Sequence, residues 1–188
     1  MIRIGILGDI GSGKSYVANE FGYPVFNADK EVSELYKKDI TIYNKLKKAL
    51  PKYINAFPID KKEISNAILS NKNNLKKIIK IVHLEIIKKL NIFLKKNKKK
   101  KFVILDIPIL LENKINQKKD ILIFIQSKKD DIYKRLKKRD NFNQKLLNLF
   151  KSIQYSLNYK KKKSKFIIKN NFTKKAVKKE IQKILKKI

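Results

Sequence analysis

Eight residues, Gly8-Asp9-Ile10-Gly11-Ser12-Gly13-Lys14-Ser15, follow directly on the apolar run 2–7 and constrain this chain more than any other feature. They match G-x-x-x-x-G-K-[ST] at every fixed position, with a strand-like run before them and a helical pattern after them. The glycines permit a tight path that turns successive backbone N–H groups toward a phosphate. The N-terminus of the following helix adds partial positive charge. Lys14 has the reach for β- and γ-phosphates, and the Ser15 hydroxyl can ligate Mg²⁺. The stretch reads as a nucleoside triphosphate site built from Gly8, Gly11, Ser12, Gly13, Lys14 and Ser15.

A chain of 188 residues suffices for one sizeable core and is short for two independent ones. It has no cysteine, which excludes disulfides and thiolate chemistry. The apolar start runs straight into the glycine-rich loop and does not read as a leader, and no apolar run has the length of a bilayer span. The expectation is a soluble cytoplasmic protein. Its net charge of +32 resembles a nucleic-acid footprint. Arg3, Arg135 and Arg139 are the only arginines, however, and Lys, Ile and Asn share A/T-rich codons, so a biased genome is a sufficient hypothesis for much of the charge. The runs 98–101 and 160–163 read as solvated helix faces and loop ends. General attraction to phosphate-rich small substrates remains.

Apolar runs at 23–27, 102–105, 121–125 and 166–168 read as further strands, and the spacing predicts helices over 15–21, 128–138 and 144–159. Another helix starts at Asp29, and a last one follows residue 168. Residues 39–96 contain no strand pattern. Ile64, Ala67, Ile68, Leu75, Ile78, Ile79 and Val82 instead recur at helical spacing. Strands alternating with helices predict an α/β fold with a parallel sheet covered on both faces. Ligands of such sheets bind beyond the carboxyl ends of the strands. That rule directs attention to Gly8, residues 27–29, residues 106–112 and Asn170, with 39–96 as a helical cap.

Phosphoryl transfer needs a phosphate cradle, a metal, positive charge and an oriented hydroxyl. Asp29, after the second strand, can orient or deprotonate an acceptor hydroxyl, or it can simply complement a helix N-terminus. Asp106 ends an apolar strand, a position suited to holding Mg²⁺ or its waters and equally to a turn. Glu112 lies on the same loop. Arg135 and Arg139 stand out in a chain whose positive charge is nearly all lysine, since a planar fork grips phosphate or stacks on a base as lysine cannot. Their spacing of four puts both on one helix face. They read as part of a mobile lid over about 139–163, with surface charge as the plainer alternative. His83, the single histidine, lies in a helical stretch, where a half-buried packing role is the common case.

Taken in order, these residues resemble the dephospho-coenzyme A kinase family. The resemblance rests on the loop through Ser15, on Pro24-Val25-Phe26-Asn27-Ala28-Asp29, on Asp60-Lys61-Lys62 and on Ile81-Val82-His83. It continues through Asp106-Ile107-Pro108-Ile109-Leu110-Leu111-Glu112, Arg135-Leu136, Arg139-Asp140, Gln154, Ile168 and Asn170. It implies one domain over 1–188 with a three-layer P-loop kinase fold, a parallel sheet of about five strands, an acceptor cap over about 39–96 and the lid. The activity implied is transfer of the ATP γ-phosphoryl group to the ribose 3′-hydroxyl of dephospho-coenzyme A, with Mg²⁺. Asp29, Lys14 and Arg139 become catalytic residues. Tyr16 and Arg135 join the ATP site, and Lys61, His83, Pro108 and Glu112 join Asp29 on the acceptor side. Ser15 and Asp106 become the Mg²⁺ residues. No specific nucleic acid or membrane partner is implied, and a monomer or weak homo-oligomer is expected. Asp9, Tyr16, Asn27, Lys61, Leu84 and Phe172 depart from the family pattern, which has Gly, Thr, Asp, Arg, Pro and Gly there. A nucleoside monophosphate kinase is the alternative enzyme. A basic, nucleotide-dependent RNA-binding protein rests on charge alone, without an aromatic stacking motif.

Overall fold

Runs rich in Ile, Leu, Val and Phe suit strands buried on both faces, and the computed structural model, which describes residues 1–140 and 142–188, places them at the centre of one parallel sheet. Its strands are β1 (Ile2–Gly8), β2 (Val25–Asn27), β3 (Phe102–Asp106), β4 (Ile121–Gln126) and β5 (Phe166–Lys169). They lie in the order β2-β3-β1-β4-β5, every pairing parallel. β3 is buried at every position. Pro24 has no N–H to give, but its carbonyl accepts from Ile104 at 2.9 Å and leads the chain into β2.

The pleat sorts side chains by alternation. Ile4, Ile6, Phe102, Ile104, Ile123, Ile125 and Ile168 form one face. Val17, Ala18 and Phe21 from and just beyond α1 (Lys14–Glu20) cover it, together with Val177, Ile181 and Ile184 of α9 (Lys174–Leu185). Each such aliphatic or aromatic side chain contributes about 1.5–3 kcal/mol on burial. Gly5 lies on the other face, where a Cβ would come within 2.6 Å of Leu110 and 2.8 Å of Leu122. Helix α8 (Leu157–Lys163) packs against β1 and β4. The third arginine has a structural task at the sheet's amino end. Arg3 pairs with Asp120 at 3.0 Å and donates to the Ile115 carbonyl at 3.1 Å, which fixes the loop leading into β4. Burial pushes the Asp120 carboxyl up, against the Gln117 N–H and the Arg3 guanidinium.

This sheet unit comprises residues 1–27, 97–143 and 150–188, and a second unit comprises 28–96 with 144–149. The second is helical: α2 (Ala28–Lys38), α3 (Ile40–Ala49), α4 (Lys61–Ser70) and α5 (Lys72–Lys96). Leu75, Ile78, Val82, Ile86 and Leu90 form the buried stripe of α5 at the three- and four-residue spacing of one helix face. The carboxylates of Asp39 and Asp60 cap α3 and α4 by accepting from the Ile42 and Lys62 N–H groups, each worth about 1 kcal/mol. The buried Asn74 side chain donates to the Ala67 carbonyl at 2.8 Å and joins α5 to α4.

The structure corrects three expectations. Residues 144–159 are not one helix: α7 (Gln144–Ser152) ends, and α8 restarts at Leu157 under a Ser156 cap that accepts from Tyr159 N–H. At the interruption the Tyr155 N–H donates to the Glu112 carboxylate at 2.8 Å. Arg135 and Arg139 do not share a helix face, since α6 (Lys129–Lys137) ends before Arg139. The Arg139 N–H makes a tight three-residue bond to Leu136 in the turn beyond. Residue 141, inside the expected lid, lies outside the described residues. Finally, the run 160–163 is not uniformly solvated, because Lys160 is 1 % exposed.

The crowding at Gly5 gives a direct test. Gly5→Ala forces Leu110 and Leu122 apart and should lower stability by about 1–3 kcal/mol, read as a fall in the urea midpoint at unchanged slope.

Candidate active site

The loop between β1 and α1 is shaped by its own polar groups before any ligand arrives. The Ser12 N–H donates to the Asp9 carbonyl at 3.2 Å, and the Asp9 carboxylate accepts from the Ile10 N–H at 2.7 Å. Gly13 has a φ of 86°, and a Cβ there would collide with the Asn170 side-chain amide. Only glycine fits on both counts. Gly11, also at φ 86°, lies under Leu136 and Ile132 of α6. The loop is also tied from outside. The Ser12 carbonyl accepts from Ser127 Oγ at 2.9 Å and from Asn170 Nδ2 at 2.8 Å. These residues follow β4 and β5, so two strand ends hold the cradle.

Lys14 Nζ donates to the Asp9 and Gly8 carbonyls at 2.8 and 3.3 Å, which keeps its ammonium over the loop. Lys151 Nζ stands 3.7 Å from the Asp9 carboxylate. On the β2–β3 side, Asn27 Nδ2 donates to Asp106 Oδ2 at 2.6 Å and reaches Ser15 Oγ at 3.5 Å. Asp106 is 3 % exposed. Burial pushes its carboxyl up, while hydrogen bonds from Ser15 and Asn27 and the charge of Lys14 pull it back down. An amide at 27 donates a hydrogen bond that a second carboxylate would not, and it adds no like charge.

Ser15 and Asp106 therefore offer hard oxygen donors in one place. Mg²⁺ takes one or two carboxylates and completes its shell with waters and substrate phosphates. Among the described residues no three His, Cys, Asp or Glu side chains form a group that could hold a metal. The donor set suits a cation that arrives with a phosphate, not an all-protein cage.

The other expected residues are distributed as follows. Tyr16 turns toward the core cluster of the sheet and packs against it. Arg135, exposed on α6, lies over the Phe172 ring at 4.3 Å, while Arg139 is exposed in the turn beyond. Pro108 lies in the turns after β3. Glu112, on the same segment, is paired with buried Lys160 at 2.9 Å and accepts from the Tyr155 N–H. Gln154 Oε1 accepts from Lys160 Nζ at 2.7 Å. In the helical unit, Asp29 is in the first turn of α2, Lys61 begins α4 behind its Asp60 cap, and His83 is half-buried in α5. Sequence reasoning missed Ser127 and the inward Lys160. Ser127 had one available signal, a hydroxyl just past an apolar strand. Lys160 had none, since it looks like any other lysine in its run.

The Glu112–Lys160 pair can be tested apart from any catalytic role. Glu112→Ala leaves an ammonium buried with one amide partner and should cost about 3–5 kcal/mol of stability, seen as an early thermal transition.

Comparison with known proteins places this geometry. A family model described as dephospho-CoA kinase matches residues 2–176. The dephospho-CoA kinase of Wolbachia pipientis wMel is 35 % identical over 187 residues, covering 97 % of this chain and 95 % of that protein. That of Rickettsia typhi is 34 % identical, covering 100 % and 98 %. The crystal structure of TT1252 from Thermus thermophilus superposes with a TM-score of 0.76 at 22 % identity, over 100 % of this chain and 97 % of the other. Dephospho-CoA kinase from Campylobacter jejuni gives 0.63 at 22 %, over 98 % and 96 %. The two structures share the fold.

Proposed function

The chain belongs to the dephospho-CoA kinase family, and from that premise we propose that it moves the γ-phosphoryl group of ATP to the ribose 3′-hydroxyl of dephospho-coenzyme A, giving coenzyme A and ADP. This is the last phosphorylation of coenzyme A synthesis. The observation that carries the reading is the near full-length family match together with a phosphate loop tied to two strand ends by Ser127 and Asn170.

The roles divide by chemistry. N–H groups of residues 8–15 receive the β- and γ-phosphates, and Lys14 exchanges its bonds to the Gly8 and Asp9 carbonyls for phosphate oxygens. Because the ammonium already sits over the loop, the exchange is a short movement that requires no ordering. Ser15 and Asp106 would hold Mg²⁺, which supplies charge neutralisation on the transferring group. Asn27 donates to Asp106, which aims the carboxyl and works against the burial that pushes it up. Asp29, two residues beyond Asn27 in the chain, is our candidate for accepting the 3′-hydroxyl proton as that oxygen attacks phosphorus. Arg139 is our candidate for meeting the charge on the equatorial oxygens. Lys61 and His83 are assigned to acceptor binding within a cap, and Pro108 to the acceptor loop. Glu112 serves that loop by fastening it to Lys160. Lys61 supplies a point charge where an arginine fork would be bidentate, so acceptor affinity is the property it limits.

No helix among the described residues is long and apolar enough to cross a membrane. We place the protein in the cytoplasm, as a monomer or weak homo-oligomer.

A coupled ATP assay with dephospho-coenzyme A beside AMP, CMP and dTMP checks the acceptor. Turnover is expected on dephospho-coenzyme A, and turnover only on a nucleoside monophosphate would overturn the reading. In the same assay Asp29→Asn should lower kcat about 10²–10⁴-fold, the range for losing a general base, with little change in the KM for ATP. Near-normal turnover would remove Asp29 from the chemistry. Chelation of divalent cations should abolish turnover, and added Mg²⁺ should restore it without refolding.

A further inference from the structure

At β5 the sheet ends in an edge. β5 pairs with β4 alone, so its far side carries backbone groups that no neighbouring strand meets. The Asn170 N–H donates to the Gln126 carbonyl at 2.8 Å, and Gln126 lies in register with Lys169. Alternation along the ladder then turns the N–H and C=O of Ile168 toward β4 and those of Ile167 and Lys169 outward. Ile167 is 39 % exposed, an apolar strand residue left uncovered.

This edge is the floor of a groove of about 740 Å³. α9 packs on the sheet face that carries Ile168, and α8 packs on the opposite face against β1 and β4. Both helices line the groove, so it follows the rim of the sheet between them. Lys161 of α8, Lys169 of β5 and Lys179 of α9 surround Ile167, with Gln126 and Asn171 at the carboxyl end. Asn171 is pinned, because its Oδ1 accepts from the N–H and the hydroxyl of Thr173, which leaves its amide hydrogens to donate. Glu180, the acid in the lining, is paired with Lys183 at 2.8 Å. No carboxylate among the described residues forms a salt bridge with Lys161, Lys169 or Lys179.

Those free charges choose the occupant. A second copy of this chain would bring its own lysines to the edge and be repelled, which is what lysine does on an exposed strand. A phosphodiester backbone offers acceptors to the lysines but no donor to the outward carbonyls of residues 167 and 169. An extended polypeptide presents donors and acceptors alternately, at the spacing of the edge. We propose that the β5 edge is a docking groove for an acidic, extended segment of a partner protein, which adds as a strand beside β5. Its carboxylates meet Lys161, Lys169 and Lys179, and an apolar side chain between them covers Ile167. The groove needs neither ATP nor an acceptor, so the proposal stands or falls apart from the kinase reading.

The test is binding of a labelled synthetic peptide of alternating Glu and Val to the full chain, read by fluorescence anisotropy at physiological ionic strength. Lys161→Glu, Lys169→Glu and Lys179→Glu together should weaken it about tenfold or more, the sum of three screened ion pairs. Lys52→Glu, Lys76→Glu and Lys99→Glu together make the same change of net charge at exposed positions elsewhere, and should leave binding within about twofold. A peptide N-methylated at alternate residues keeps its charge but cannot pair along the edge, and should bind the parent chain about tenfold more weakly. Hydrogen exchange at the Ile167 and Lys169 amides should slow when the unmethylated peptide binds. The methylated peptide and the exchange measurement use the parent chain, so they decide the matter even if a charge-reversed variant folds poorly. Absence of peptide binding overturns the proposal, and so does an equal loss in the two triple variants, which would make the attraction general to the charge. Unchanged affinity for the methylated peptide, or unchanged exchange at residues 167 and 169, overturns it by leaving the edge unpaired. Tighter binding of an oligothymidylate of equal charge, lost in the groove variant, would assign the groove to nucleic acid and overturn it as well.

Discussion

The Ser12 carbonyl is the point on which the phosphate site depends. Two donors converge on it, Ser127 from the end of β4 and Asn170 from the end of β5. A glycine-rich loop has many conformations available, and fixing each residue costs about 1–2 kcal/mol of backbone entropy. Tying the middle of the loop to a sheet buried on both faces meets that cost during folding, before substrate arrives. The N–H groups are then already aimed, and binding energy is left for the transition state. Net charge cannot substitute for this. Forty-eight cationic side chains raise the local concentration of any polyanion, but they do not orient one.

Around that anchor the carboxyl edge of the sheet carries several buried polar groups, each in a different electrostatic position. Asp106 is penalised by burial and sustained by Asn27, Ser15 and Lys14, so its charge depends on neighbours that also belong to the phosphate site. Lys160 and Glu112 resolve the same problem as a closed pair with Gln154 and the Tyr155 N–H as supporting partners. Replacing such a pair by apolar residues is often neutral for stability, whereas removing one member is costly. The pair is therefore better understood as a device that fixes where the segment after β3 meets the start of α8. One Glu112 oxygen remains buried without a hydrogen-bond partner. Such an atom is costly to leave unmet, and it lies on the loop assigned to the acceptor.

The frame was legible in the sequence wherever one local rule decides the outcome. β1, β3 and β4 are short runs rich in β-branched and aromatic residues that suit a buried strand, and the loop motif fixes its own geometry. The helical stretch 39–96 announced itself by spacing. What was not legible depends on contacts distant in sequence. The stretch 144–159 is helix-forming by its spacing, and at its break the Tyr155 N–H donates to Glu112, more than forty residues earlier. Lys160 is indistinguishable from its neighbours until the fold supplies Glu112. Arg139 leaves the helix face assigned by its spacing because α6 ends at Lys137. Composition hides function here as well. With lysine so abundant, a charge carries little information, and it was the scarcity of arginine that singled out residues 135 and 139.

Asp9 shows how such a background accommodates a residue that would otherwise oppose the ligand. A carboxylate inside a phosphate loop repels the group the loop must hold. Here one of its oxygens is taken up by the Ile10 N–H, which commits the side chain to the shape of the loop. The other faces Lys151 at 3.7 Å. Lys151 is about half exposed, so the pair is screened and adds little to stability. Its effect is instead on the field at the site: an ammonium beside the carboxylate cancels the leading part of its repulsion at phosphate distance. A chain with so many lysines supplies that cation readily. One of this chain's many lysines thus offsets the acid that the loop carries at position 9.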